Sequence, residues 1–84
     1  MAKTIKEILI ERTGVDPKKI TKDATPESMG MDSLDQVEFW MSIEDEYEIT
    51  VEDEEATGFK KLEDVFKYLE NHKIGPEKTG VINP

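Results

Sequence analysis

The sequence predicts an all-α fold: a small four-helix bundle of three longer helices and one short helix, with a long loop between helices 1 and 2. Three observations carry this expectation. Apolar residues recur at helical spacing near both ends of the chain, and a long stretch without Gly or Pro lies between those segments. Gly and Pro fall where helices should stop.

In Ile5 to Thr13, Ile5, Ile8 and Leu9 fall at i, i+3, i+4 and Gly14 follows as a stop, so this is helix 1, with Thr4 as N-cap. Ile10 lies off the stripe and should be partly exposed. Val15 to Met31 reads as a long loop punctuated by Pro17, Pro26 and Gly30, with Val15 and Ile20 anchoring it to the core. A loop of this length in a small domain is either functional or a sign that the element assignment is wrong. Ser33 to Tyr47 is helix 2, followed by an extended connection at Ile49-Thr50-Val51. Glu52 to Thr57 forms one or two turns ended by Gly58. Lys61 to His72 carries Leu62, Val65, Phe66 and Leu69 at i, i+3, i+4, i+7, an amphipathic helix. Residues 1–73 are read as one domain; 74–84 have too little apolar surface to order themselves and are expected to form a mobile tail.

The 84 residues leave room for one modest core, and the absence of cysteine removes disulfides, thiol nucleophiles and thiolate metal ligands. The longest apolar runs, such as Ile8-Leu9-Ile10, are far short of the roughly 20 residues of a membrane span. The first residues lack the apolar stretch of a secretory signal, so a soluble cytoplasmic monomer is the expectation. The formal charge is −9, and residues 23–59 hold thirteen Asp or Glu with no Lys or Arg. Such a field repels nucleic acid and anionic membranes and attracts basic protein surfaces. A solvated face that only aids solubility would leave the same pattern.

Helix 2 has two apolar faces. At 100° per residue, Phe39, Trp40, Ile43 and Tyr47 share one arc, while Leu34, Val37 and Met41 lie opposite. Glu38, Asp45 and Glu48 share the second side, with Glu44 at its edge. An apolar strip rimmed by carboxylates suits docking to a partner with an apolar groove and a basic border. The alternative is that Leu34 and Val37 pack beneath the long loop.

At the head of this helix stands Asp32-Ser33-Leu34-Asp35. Asp and Ser are both favoured N-caps, and Asp35 suits the positive end of the helix dipole. Capping accounts for one of Asp32 and Ser33, or for both. A phosphodiester on Ser33 would use the same place differently, beside the unpaired N–H groups that favour an anion.

The run Gly30-Met31-Asp32-Ser33-Leu34-Asp35-Gln36-Val37-Glu38 resembles the attachment motif of acyl carrier proteins. The resemblance continues through Met41, Ile43-Glu44-Asp45-Glu46-Tyr47, Ile49, Asp53-Glu54-Glu55-Ala56 and on to Tyr68-Leu69, and helix 1 with its Gly14-Val15 ending matches too. It implies that Ser33 Oγ receives 4′-phosphopantetheine from coenzyme A through a separate Mg²⁺-dependent phosphopantetheinyl transferase, assisted by Asp32. The arm supplies the thiol that the chain lacks. Acyl groups ride on it as thioesters, and synthases, transferases or reductases with basic docking surfaces perform the chemistry, so the protein itself is not an enzyme. The implied partner face is Leu34, Asp35, Val37, Glu38, Met41, Glu44, Asp45 and Glu48. The implied acyl pocket and core comprise Phe39, Trp40, Ile43, Tyr47, Leu62, Val65, Phe66 and Leu69, between which such families can shield the cargo.

The chain departs from the family pattern in several places. Met29 stands where Leu is usual, the loop is one residue short near Pro26 and lacks an aromatic, Glu52 replaces a common Pro, and Lys60-Lys61 replace a Thr or Ser cap. Phe39-Trp40 places two large rings where smaller aliphatics are common. Trp40 either reshapes the pocket for a short or unusual cargo or simply fills the core. Fatty-acid, polyketide and related acyl metabolism stay open as pathways. Three competing readings remain: a D-alanyl or peptidyl carrier, an unmodified acidic adaptor, and a divalent-cation binder using Glu44-Asp45-Glu46 and Glu52-Asp53-Glu54-Glu55. The last lacks the ligand spacing of a calcium loop. A hydrolase is disfavoured because the single histidine, His72, sits near a helix end among exposed residues.

Overall fold

A computed structural model describes residues 3–56 and 58–80. Helix α1, Ile5–Ile8, begins at Thr4, whose hydroxyl accepts the Glu7 N–H at 3.2 Å while the Glu7 carboxylate accepts the Thr4 N–H at 2.9 Å. These bonds hold the Glu7 carboxyl below its ordinary pKa. The helix continues as a π-helical turn, Leu9–Thr13, in which the Leu9 carbonyl accepts from the Thr13 hydroxyl, Gly14 N–H and Val15 N–H. Gly14 closes it in the left-handed region. Ile5, Ile8 and Leu9 are buried and Ile10 is 36% exposed, matching the stripe.

The connection that follows contains a single 3₁₀ turn, Pro17–Lys19, capped by Asp16, and buries Val15, Ile20, Ala24, Met29 and Met31. Helix α2, Ser33–Tyr47, crosses the molecule and packs against the first helical segment. Helix α3, Asp53–Ala56, and helix α4, Leu62–Asn71, complete the expected set. Residues 49–51 form neither helix nor strand, and Val51 is buried. No strand occurs among the described residues. The radius of gyration, 11.4 Å, is close to the roughly 12 Å of a single folded domain of this length.

Two features depart from the sequence reading. Lys61 offers no side-chain acceptor at the start of α4; instead the Ala24 and Lys22 carbonyls accept the Leu62 and Glu63 N–H groups at 2.9 and 3.0 Å. The loop therefore caps the helix in place of the missing Thr or Ser. The second departure is the C-terminal segment, expected to lack the apolar surface for order. Ile74 is 5% exposed, Pro76–Thr79 form a fifth short helix, α5, and Thr79 is buried. The Tyr47 hydroxyl donates to the Lys3 carbonyl at 2.6 Å and lies 3.4 Å from that of Lys78, joining both chain ends to α2. One buried isoleucine and this tyrosine provide contacts that the segment's own composition did not reveal. Residues 81–84 lie outside the described residues.

Candidate functional site

Ser33 is placed by the turn before it. Thr25 and Ser28 exchange bonds between their hydroxyls and backbone N–H groups at 2.9 and 3.0 Å, and Met31 N–H donates to the Pro26 carbonyl at 2.8 Å. Gly30 ends this turn at φ +74°, with nothing near its Cβ position. Backbone conformation, not space, is what calls for glycine there. Buried Met29 and Met31 pin both sides of the turn.

Asp32 is the cap of α2. Its Oδ1 accepts the Asp35 N–H at 2.9 Å, and Asp35 Oδ2 accepts the Asp32 N–H at 3.2 Å. Ser33 is thereby the first helical residue, exposed, with a hydroxyl that bonds to no described residue. Of the two capping candidates, Asp32 alone takes the role. The Ser33 and Leu34 N–H groups precede the first intrahelical bond, made by Gln36 N–H to the Asp32 carbonyl, and remain open. An exposed, unbonded hydroxyl beside two free donors at a helix N-terminus fits a phosphodiester attached through that oxygen.

The outer strip of α2 is exposed: Leu34 by 64%, Met41 by 58% and Val37 by 37%. Leu34 does not pack under the loop. Glu38, Asp45 and Glu48 are exposed beside it, with Glu48 in the left-handed conformation that ends the helix. The other two acidic residues assigned to this face have internal duties. Asp35 completes the capping box, and half-buried Glu44 accepts the Val51 N–H at 2.8 Å, holding the connection to α3.

The inner face is core. Phe39, Trp40, Ile43, Leu62, Val65 and Leu69 are at most 1% exposed, while Tyr47 and Phe66 are half-buried. Trp40 Nε1 donates to the Gly58 carbonyl at 3.3 Å, and its ring meets Tyr68 edge-on at 5.5 Å. Phe39 contacts Phe59 at 5.6 Å. Sequence reasoning missed Tyr68, although it follows Val65 at i+3, and missed Ser42, whose buried hydroxyl donates to the Glu38 carbonyl. His72 lies against Tyr68 on the exposed side, as its place in the helix suggested.

A groove of about 600 Å³ lies between the Asp45–Glu48 end of α2 and Ile74, Glu77 and Lys78. Asp45 is twelve residues beyond Ser33, about 18 Å along the helix, so the groove is remote from the serine. Among the described residues the acidic side chains form no group of three or more that could hold a metal ion, and the cation-binding reading gains no support. No described helix is long and apolar enough to cross a membrane.

Comparison with known proteins gives the arrangement its context. Residues 3–69 match the family model described as phosphopantetheine attachment site. An acyl carrier protein of Bdellovibrio bacteriovorus is 42% identical over 67 residues, covering 79% of this chain and 86% of the relative. The match runs from the capping turn of α1 to the last core leucine of α4, so it takes in the bundle and the whole of α2. This chain belongs to the acyl carrier protein family, whose members are carriers of covalent 4′-phosphopantetheine and not enzymes.

Proposed function

We propose that Ser33 Oγ is the attachment point of the 4′-phosphopantetheine arm, and that the protein carries acyl intermediates of fatty-acid, polyketide or related metabolism to partner enzymes. The observation that supports this most directly is the separation of duties at the head of α2. Asp32 and Asp35 cap the helix, which leaves Ser33 exposed and chemically free. When bound, the arm supplies a thiol on which an acyl carbonyl is held as a thioester. The chain's own residues do the rest. The open Ser33 and Leu34 N–H groups would favour the phosphate at the helix start, and Asp32 would help position the transferase's Mg²⁺ and phosphate during attachment. Leu34, Val37 and Met41, with Glu38, Asp45 and Glu48 beside them, form the surface for the transferase and for acyl synthases, transferases or reductases with basic docking sites. Apolar burial there would supply most of the affinity, and complementary charge would speed encounter.

The test is incubation with coenzyme A, Mg²⁺ and a promiscuous phosphopantetheinyl transferase, followed by intact mass, with Ser33→Ala as control. One added arm on the parent and none on the variant is the expected result. No gain on the parent would leave an unmodified adaptor, and a gain surviving in Ser33→Ala would move the site elsewhere. A D-alanyl or peptidyl carrier shares the arm; Asp32 before the serine and the acidic α2 favour acyl cargo.

A further inference from the structure

Met41 stands in the outer strip of α2 and is 58% exposed, while Met29 and Met31 are 4% and 6% exposed in the core. Its thioether is open to dissolved oxidants, and theirs are shielded. Val37 precedes it by four residues and Leu34 by seven, so the sulfur belongs to the same apolar surface. The polar side chains beside it could not donate to an oxygen added there. Glu38 and Asp45, at i−3 and i+4, are exposed carboxylates that only accept when ionised. The Ser42 hydroxyl is buried and already donates to the Glu38 carbonyl. A sulfoxide at this position would depend on water for its hydrogen bonds.

We propose that Met41 is a reversible oxidation site, and that its sulfoxide weakens the docking of partner enzymes on α2. The proposal rests on the docking strip put forward above. A hydroperoxide such as hydrogen peroxide is the oxidant. The sulfur lone pair attacks one peroxide oxygen, the O–O bond breaks, and the other oxygen takes up the proton of the first and leaves as water. The thioether gives up two electrons, the peroxide gains them, and an apolar side chain becomes a polar one. On the free protein the new oxygen is solvated. Burial in a partner's apolar groove strips that water without replacing it, so the cost falls on docking. A dithiol acting through methionine sulfoxide reductases reverses the change: the oxygen leaves as water and the dithiol becomes a disulfide.

The experiment treats the parent, Met41→Leu and Met41→Gln with dilute hydrogen peroxide, removes the oxidant with catalase and locates each added oxygen by peptide mass mapping. Initial rates of arm transfer from coenzyme A by a phosphopantetheinyl transferase are then read by intact mass. Met41 should be oxidised well before Met29 and Met31. The parent oxidised at Met41 should lose about tenfold in kcat/KM and recover it with methionine sulfoxide reductases and dithiothreitol. Its Tm should stay within about 3 °C of the untreated protein. Met41→Leu should keep its rate through the same treatment, and untreated Met41→Gln should be as slow as the oxidised parent. Oxidation of Met41 no faster than of Met29 or Met31, an unchanged rate in the oxidised parent, a loss of rate that only follows unfolding, or an equal loss in Met41→Leu would each overturn the proposal. In those cases a slow untreated Met41→Gln would leave the docking strip standing, whereas parent rates in both Met41→Gln and Leu34→Ala would remove the strip as well.

Discussion

The head of α2 allows structure and chemistry to be separated by substitution. Asp32→Ala removes the acceptor of the Asp35 N–H, a 2.9 Å bond, while the opposing bond from Asp32 N–H to Asp35 can persist. Loss of an N-cap costs about 1 kcal/mol in the usual case. For a domain of this size that corresponds to a fall in Tm of about 4–8 °C. Ser33→Ala removes a hydroxyl that is exposed and unbonded, and alanine is the better helix former. Its effect should stay within about 0.5 kcal/mol, or about 3 °C. Thermal melts followed by circular dichroism measure both variants, and intact mass after incubation with the transferase measures attachment. The expected pattern is a destabilised Asp32→Ala beside a stable Ser33→Ala that gains no arm. Asp32→Asn keeps a capping side chain, so a slowed attachment there, by about tenfold or more, would isolate the contribution of its charge. If Ser33→Ala lost as much stability as Asp32→Ala, the serine would be a structural residue and the reasoning would fail.

Other expectations concern the two faces of α2 and its far end. Leu34→Ala should leave Tm nearly unchanged but lower kcat/KM of arm transfer by roughly tenfold, the worth of one buried leucine side chain at a partner surface, as measured by initial rates of mass gain. An unchanged rate would exclude Leu34 from the docking strip. Trp40→Val should destabilise the unloaded protein by about 3 kcal/mol, through lost packing and the lost bond to the Gly58 carbonyl. The same variant should alter how Tm of the loaded protein depends on acyl chain length; an unaltered dependence would reduce Trp40 to core filling. Burial, then Glu46 and Glu7, push the Tyr47 hydroxyl up to about 12. Because the folded value lies above the unfolded one near 10, its contribution is complete below pH 10 and is lost as pH rises through about 12. Chemical denaturation between pH 9 and 12 should therefore show a steeper alkaline loss in the parent than in Tyr47→Phe, and parallel curves would contradict the assignment.

Local pattern alone determined much of this protein. The stripe Ile5-Ile8-Leu9, the stripe Leu62-Val65-Leu69 and the division of α2 into an inner and an outer apolar face all follow from 3.6-residue periodicity, and burial follows that division. The Thr4 cap and the Gly14 stop are likewise local, since each depends only on residues within one turn. The motif around Ser33 pointed to the family by the residues themselves. Contacts between distant segments could not be read in this way. Which of Asp32 and Ser33 caps the helix depended on where the preceding turn placed them. Lys61 could begin a helix because the Lys22 and Ala24 carbonyls, nearly forty residues earlier, meet its first N–H groups. Ile74 found a core that its own segment does not supply, and Glu44 turned inward to hold Val51 rather than serving only the outer face. Tyr68 carries a spacing compatible with burial, but only packing could leave its hydroxyl enclosed without a partner. Periodicity reports which face of a helix is buried; hydrogen bonding across the bundle decides which polar group each buried or capped atom meets, and that depends on the whole chain being folded.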